Sequence, residues 1–233
     1  MKKILALIFF VSSFAHAQYT IKGTMNPTLK SDWVILYKID GAKQKFVKNS
    51  KIIIDSIIVD GEKKAIGNFS FVLPKGTKTG AYRVTYRLEG AGFVDFFFNK
   101  EDVSFGFHPE YPNQSVTFSK SKENGFYKNY LDEIAKAQQT LDSIQVTALQ
   151  NPNLDLKSAY KIAFNKLNLV QKSYLEASKG LYIQPFIKAS FRNSPSELIE
   201  TPQKYMSNMT GTFFNSMDFN NQTLLNSSFL IVT

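Results

Sequence analysis

The hydrophobic pattern of the first half of the chain is that of short β-strands. Up to about residue 119, runs rich in Val, Ile, Phe, Tyr and Thr alternate with Gly, Pro, Asn and Asp. In residues 82–89, apolar or aromatic side chains alternate with polar or charged ones, so one face enters a core and the other faces water. Many short strands at close spacing predict an antiparallel β-sandwich.

Nine strands are predicted from this pattern, at residues 19–24, 33–39, 45–48, 52–59, 68–73, 80–88, 93–99, 103–107 and 115–118. Turns are predicted at Asp60-Gly61, at Pro74-Lys75-Gly76 and at residues 89–92. The strand at 93–98 is aromatic on both faces, which favours a central strand covered on both sides. An open aromatic face that binds a glycan or a partner is the alternative.

From residue 120 onward the apolar spacing becomes helical. The first stripe consists of Phe126, Tyr130, Ile134, Ala137, Leu141 and Ile144, and the second of Leu156, Tyr160, Ala163, Leu167, Val170, Tyr174 and Ala177. Asn151-Pro152-Asn153 separates the two stripes, Asp155 is a candidate N-cap and Gly180 a candidate C-cap residue. The pattern predicts an antiparallel helical hairpin with a packed seam, and a ligand groove along the aromatics is the alternative.

The last fifty residues give weaker signals. Short helices are predicted at 183–191 and 202–214, with a break at Ser194-Pro195. The final apolar run contains Leu224, Leu225, Phe229, Leu230, Ile231 and Val232. Because an uncovered apolar run would expose a hydrophobic patch, we expect a partner to cover it. Candidate partner-binding residues are therefore Trp33, Phe97, Leu224, Leu225 and Phe229.

The N-terminus has the pattern of a secretory signal peptide. Lys2 and Lys3 precede an apolar stretch at residues 4–11, and Ala15-His16-Ala17 has the spacing of a cleavage site. This stretch is shorter than the about 20 apolar residues that span a bilayer, and no later segment is longer, so no membrane span is expected. The chain has no cysteine, which excludes a lipid anchor on a cysteine, a disulfide and a thiol nucleophile.

The net charge of +9 does not by itself indicate a nucleic-acid-binding protein. The basic residues are scattered along the chain, and several alternate with other residues as on the solvent face of a strand pair, namely Lys43, Lys45, Lys48 and Lys51. We therefore expect no nucleic-acid partner.

Candidate catalytic residues are few. His108 is the only histidine after the predicted cleavage site, and no nucleophile motif accompanies it. Three carboxylates, those of Asp95, Asp102 and Glu110, would have to meet in the fold to act as acid and base. The sequence predicts no catalytic residue, cofactor or metal site, and a cofactor-free hydrolase that uses these residues is an alternative.

Four segments resemble a known domain by their order and spacing. They are DSIIVD at 55–60, GNFSF at 67–71, GAYRV at 80–84, and FVDFFFN at 93–99 followed by EDV at 101–103. They resemble a domain of unknown function at the N-terminus of exported thioredoxin-like and peroxiredoxin-like thiol-disulfide oxidoreductases of Gram-negative envelopes. The helical hairpin, FFNSMDF at 213–219 and Leu224-Leu225-Asn226 are similar to the connector of these proteins. The Cys-x-x-Cys pair of their thioredoxin domain has no counterpart here, so the resemblance implies a truncated or split product and no redox residue.

Together these observations predict an α+β protein, with an N-terminal antiparallel β-sandwich followed by a helical hairpin and short helices. The expected segments are a signal peptide at 1–17, the sandwich at 18–118, the hairpin at 119–182 and a connector at 183–233. The expected function is that of a non-catalytic exported accessory or interaction module, most simply in the periplasm. Its expected partner is a thioredoxin-like domain or a second copy, and a stand-alone module that binds a glycan or peptide is the alternative.

Overall fold

The computed structural model describes residues 18–87 and 92–232. The predicted signal peptide and most of the predicted turn at 89–92 lie outside these residues. No helix among the described residues is both long and apolar enough to cross a bilayer.

All nine predicted strands are present. They are β1 (Gln18–Met25), β2 (Trp33–Asp40), β3 (Lys43–Lys51), β4 (Ile53–Val59), β5 (Glu62–Pro74), β6 (Gly80–Thr85), β7 (Phe93–Phe98), β8 (Val103–Phe107) and β9 (Thr117–Lys120). The ninth strand begins two residues later than predicted, because Pro112–Ser115 form a short helix, α1, before it.

The strands form two sheets. The five-stranded sheet has the order β4-β5-β1-β8-β9, and the four-stranded sheet has the order β3-β2-β6-β7. All pairings are antiparallel except that of β1 with β8, so the predicted sandwich is confirmed with one parallel exception. At the buried residue Ile52, the chain passes from β3 in one sheet to β4 in the other.

The core of the sandwich lies between the sheets. Its fully buried apolar residues come from both sheets and include Ile21, Met25, Val34, Leu36, Phe71, Leu73, Val84, Phe98 and Val103. At Gly23 on β1 an added Cβ atom would lie 2.0 Å from the ring of Phe69, so glycine is required for this ring to cross the strand. That ring makes edge contacts with Phe71, Phe105 and Phe107.

The second half of the chain is helical. Its helices are α2 (Lys122–Gln150), α3 (Lys157–Ala177), α4 (Gln184–Ala189), α5 (Pro202–Thr212), α6 (Gln222–Leu225) and α7 (Phe229–Val232). The carboxylate of Asp155 accepts a hydrogen bond from the backbone N–H of Lys157, although Leu156 is the residue at the cap position. The C-cap of α3 is Ser178, so the predicted C-cap residue Gly180 lies two residues too far along the chain, where it has a φ of +79° in the turn after the helix.

The two long helices form the predicted antiparallel hairpin. Tyr174, near the end of α3, packs its ring against Phe126 and Tyr130, which lie near the start of α2. The middle of the seam is buried and consists of Ile134, Ala137, Leu141, Tyr160, Ala163, Leu167 and Val170. The aromatic stripes therefore form a packed seam.

The predicted position of β7 in the centre of a sheet is wrong. Among the described residues, β7 is the last strand of the four-stranded sheet. Val94, Phe96 and Phe98 face the sandwich core, whereas Phe97 on the outer face is covered by helices rather than by another sheet. The apolar outer face of β7 thus marks the junction between the sandwich and the helical half.

Candidate functional site

The junction is held by polar groups at the start of α2. The side chain of Asn124 accepts a hydrogen bond from the N–H of Phe97 at 2.7 Å and donates one to its carbonyl oxygen at 2.6 Å. Asn124 is buried, so both bonds lie away from water. Because a buried donor or acceptor without a partner costs about 1–3 kcal/mol, this pair fixes the register of α2 against β7.

A buried carboxylate joins three parts of the chain beside Asn124. Glu123 accepts hydrogen bonds from the side chain of Asn99 at 2.6 Å and from the N–H of Ile183 at 3.2 Å. Glu101, just before β8, accepts bonds from the hydroxyl of Ser121 and the N–H of Lys122. The loops of the sandwich and the N-terminus of α2 therefore share a continuous set of hydrogen bonds.

Aromatic side chains surround these polar groups. The ring of Phe97 lies 4.6 Å from that of Phe186 on α4, 5.3 Å from Tyr127 and 5.9 Å from Tyr182. Phe186 in turn makes an edge contact with Phe229 at 5.7 Å. Burial raises the pKa of the Tyr127 hydroxyl and raises that of Tyr182 to about 12, so both hydroxyls stay neutral at ordinary pH.

A cleft of about 270 Å³ opens beside this aromatic group, and we call it the junction cleft. Its walls come from β6, β7, α1, β9, the first turns of α2, α4 and the start of α7, and they include Phe97, Asn113, Phe118, Tyr127, Leu131 and Phe229. Pockets for drug-sized ligands have volumes of about 300–1,000 Å³. The junction cleft is thus the size for one or two apolar side chains.

The edge of β7 forms one rim of the junction cleft. Phe97 directs its N–H and carbonyl away from β6, and backbone direction in a strand repeats every second residue. The N–H and carbonyl of Asp95, a residue that lines the cleft, therefore also point away from β6 at the edge of the sheet. The carboxylate of Asp95 is turned to its neighbour strand, where Arg83 donates two hydrogen bonds to it at 2.6 and 2.7 Å.

A wider surface groove of about 750 Å³ continues along α2. Leu131 lines both the groove and the junction cleft, so the two concave surfaces meet at this side chain. Asp142 and Val146 line the groove farther along the helix, and Arg192 lines its other side. The groove and the cleft therefore form one concave surface along α2.

The structure brings together three of the five predicted partner-binding residues. Phe97, Leu224 and Phe229 belong to one cluster around Phe186, in which Leu224 is 1% exposed. The chain itself thus covers part of the final apolar run, which differs from the expectation that a separate partner does so. Leu225 is 41% exposed, and Trp33 lies at the start of β2 outside this cluster.

The candidate catalytic residues have separate structural partners. Nδ1 of His108 accepts a hydrogen bond from the N–H of Glu110, and the His108 ring lies 5.2 Å from that of Tyr111. The carboxylate of Glu110 pairs with Arg87, whose hydrogen bonds lower the Glu110 pKa. Asp102 accepts a hydrogen bond from the N–H of Thr20.

None of these contacts pairs a nucleophile with a base. The hydroxyl of Ser115 accepts a bond from the backbone N–H of His108 and donates to backbone carbonyls, so it does not engage the imidazole ring. Within residues 18–87 and 92–232, no group of three or more His, Asp or Glu side chains could hold a metal ion. The charged groups of this region hold loops and strands in place.

The pattern of the sequence did not indicate several residues of the junction cleft. Asn124 and Glu123 are polar residues in a first helical turn, where such residues are common for reasons of capping alone. Tyr127 and Leu131 lie off the predicted stripe of α2 by one residue each. A second, shifted apolar stripe at Tyr127 and Leu131 was the available signal that α2 contacts more than α3.

The chain was compared with protein-family models, with curated proteins and with solved structures, and none of them matches it. Its function is therefore inferred from its own residues and geometry.

Proposed function

We propose that this protein is a non-catalytic interaction module that binds an extended apolar segment of a partner protein in the junction cleft. The observation that carries this proposal is that Phe97 turns its backbone groups away from β6, which by alternation leaves those of Asp95 unpaired with β6 beside an apolar cleft. An extended peptide can add to such an edge through backbone hydrogen bonds while its side chains enter neighbouring pockets. The size of the cleft suits one or two such side chains.

The positions of the charged groups support a role other than catalysis. Asp95 is held by Arg83, Glu110 by Arg87 and Asp102 by Thr20. A hydrolase that uses a carboxylate pair would need two of these groups to face one substrate, and their present partners hold them in different places.

The sequence resemblance supports a more specific role. If the chain serves as the front part of a thioredoxin-like oxidoreductase, the segment in the cleft belongs to a redox protein of the periplasm. The signal-peptide pattern at residues 1–17 supports export. This role needs a partner that carries the cysteine pair, because the chain itself has no cysteine.

A labelled synthetic peptide of alternating valine and threonine tests the cleft, with fluorescence anisotropy as the readout. The expected result is saturable binding that Leu131→Asp weakens at least tenfold. The matched control is Leu169→Asp, since Leu169 is an exposed leucine on α3 that does not line the cleft. A second peptide, N-methylated at its central residues, should bind much more weakly because it lacks the backbone donors.

Other outcomes of these experiments would contradict the proposal or favour one of the alternatives. Equal loss of binding in both leucine variants, or equal affinity for the methylated peptide, would mean adsorption to apolar surface and would contradict the proposal. Binding of an oligosaccharide panel that Phe97→Ala or Trp33→Ala abolishes, without peptide binding, would favour the glycan-binding alternative. Hydrolysis lost in His108→Ala would favour an enzyme. Reduction of insulin disulfides by the purified chain would contradict the proposal that the chain itself has no redox activity.

A further inference from the structure

The strand β4 carries an apolar surface that the junction cleft does not use. Its four isoleucines are all exposed, with Ile53 at 70% and Ile58 at 79%, and the other two are Ile54 and Ile57. Among the described residues, β4 is the last strand of the five-stranded sheet, and both of its faces meet solvent. A long apolar edge strand is a template for pairing with another strand.

The turn after β4 determines which backbone groups are free to pair. Asp60 and Gly61 have φ values of 53° and 80°, which is the pattern of a two-residue type I′ turn. The flanking pair, Val59 and Glu62, is then a hydrogen-bonded pair of the hairpin. It follows that Ile54, Ser56 and Ile58 direct their N–H and carbonyl groups away from β5. The N–H of Ser56 accordingly bonds to the side chain of Asp55 and not to β5.

We propose that β4 pairs antiparallel with β4 of a second copy, about a two-fold axis at Ser56, to form one continuous ten-stranded sheet. In this register Ser56 lies opposite Ser56 of the other copy, and Ile54 lies opposite Ile58. The three residues of each strand whose backbone N–H and carbonyl groups point away from β5 then lie opposite the same three residues of the other strand. The side chains of each pair lie on the same face of the joined sheet. The isoleucine pairs bury apolar side chains that a single copy leaves in water.

The charges around β4 select this register. On one face, Ile57 has Lys64 of β5 as its neighbour on one side, and Asp55 of the second copy would be its neighbour on the other. The Cα atoms of Lys64 and of Asp55 in the second copy would lie about 10 Å apart, which is two strand spacings. The long side chain of Lys64 brings its charge closer to the carboxylate. The symmetry of the pair produces this attraction twice.

Registers shifted by two residues bring like charges together. A shift in one direction places Asp55 directly opposite Asp55 of the other copy. A shift in the other direction places it opposite Val59, whose neighbour on β5 is Glu62. Like charges directly opposite each other destabilise a sheet, and in the second shifted register Asp55 gains a repulsive neighbour in place of Lys64. Only the central register combines apolar, hydrogen-bonding and charge complementarity.

The absence of cysteine makes the register directly testable. In the full chain, Ser56→Cys should form a disulfide-linked dimer on oxidation. Opposite Cα atoms of a hydrogen-bonded pair lie about 5.5 Å apart, within the roughly 4.4–6.8 Å that a disulfide spans. Ile58→Cys is the matched control, because its two copies would lie more than about 13 Å apart along the strands.

Sedimentation over a concentration series measures the association itself. The wild-type chain should dimerise reversibly, and Lys64→Glu should raise the dissociation constant roughly tenfold, because two partly exposed ion pairs become repulsive. Lys63→Glu makes the same charge change beside Ile58, which lies opposite Ile54 of the second copy and not beside a carboxylate. This variant should therefore have little effect on the dissociation constant. Adding Asp55→Lys to Lys64→Glu should restore dimerisation. All of these positions are exposed, so circular dichroism should show an unchanged fold.

Three results would overturn the proposal. They are a monomer at every concentration, equal disulfide yields from Ser56→Cys and Ile58→Cys, and a dimer that Lys64→Glu and Lys63→Glu affect equally. The surface shares no residue with the junction cleft, so peptide binding and dimerisation fail or succeed independently.

Discussion

The side-chain amide of Asn124 pairs with both backbone groups of a single residue, Phe97, at the edge of β7. The amide thereby takes the place that a neighbouring strand would occupy. Because the same helix supplies Tyr127 to the ring of Phe97, one turn of α2 covers the edge and the outer face of the strand at Phe97, and the edge at Asp95 stays open to the cleft. Phe97 is therefore a central contact between the sandwich and the helical half, beside the hydrogen bonds of Asn99 and Glu101 to the start of α2.

Replacing Asn124 should destabilise the protein. In Asn124→Ala, both backbone groups of Phe97 lose their partner, and we expect a loss of about 2 kcal/mol in the free energy of unfolding. The measurement is the midpoint of a urea denaturation curve. Asn113→Ala is the control, since Asn113 is an exposed residue of the same cleft and its replacement should change stability by less than about 0.5 kcal/mol. Equal midpoints for the two variants would show that the amide pair is not important for stability.

The two neighbouring leucines of α6 should respond very differently to truncation. Leu224 is buried against Phe186, so Leu224→Ala should cost about 2–4 kcal/mol through lost burial and a residual cavity. Leu225 is substantially exposed, and Leu225→Ala should cost less than about 1 kcal/mol. Thermal denaturation of the pair measures the contrast. Similar small losses in both would mean that α6 does not pack on α4 in solution.

Buried tyrosines should make the protein unstable at high pH. Burial raises the pKa of Tyr82, Tyr86, Tyr160 and Tyr182 to about 12 in the folded state, above the ordinary value near 10. Below about pH 10 both states keep these protons, so this contribution to stability is fully present. As the pH rises toward 12, the unfolded state loses protons first and the contribution is lost.

Ultraviolet absorbance of tyrosinate measures this titration. We expect a late step near pH 12 that coincides with unfolding followed by circular dichroism. Tyr86→Phe removes one of the late-titrating groups and also the hydrogen bond from its hydroxyl to the carbonyl of Pro109, so its late step should be smaller. A single step near pH 10 with the fold intact would contradict the assigned burial.

Glu123 should couple the unfolding of the two halves. It accepts bonds from Asn99 in the sandwich and from Ile183 before α4. Glu123→Gln replaces one acceptor oxygen with a donor that faces another donor, and we expect a loss of about 1–2 kcal/mol. Calorimetry of the wild-type chain should show one transition, and the variant should show a broadened or split one. Two well-separated transitions in the wild type would show that the junction is weak.

Periodicity predicted the elements well because it depends on local burial. The strict alternation in β6 and the four-and-three spacing of α2 and α3 each identify one buried face, and the structure confirms those faces. Periodicity does not show which strands pair with each other in a sheet. The aromatic outer face of β7 indicated that something covers it. The pattern cannot tell whether the strand lies in the middle of a sheet or at an edge that helices cover.

The junction cleft was predicted only in part, for a related reason. Phe97 and Phe229 were candidates because each is an aromatic residue in an apolar run. Asn124 was not a candidate, because its amide acts through hydrogen bonds to a strand edge that lies 27 residues away in sequence. A contact of this kind exists only when the tertiary fold brings the two segments together.

The place of β1 between β5 and β8 has a consequence for the order in which the protein can fold. The first described strand pairs on one side with residues 67–74 and on the other with residues 103–107. The centre of this sheet therefore stays incomplete until the chain as far as residue 107 is available to fold. The helical hairpin, made of neighbouring segments, can form as soon as it emerges, because local contacts form faster than distant ones. Until the strand finds both neighbours, the apolar side chains that β1 contributes to the core, Ile21 and Met25, stay accessible to chaperones.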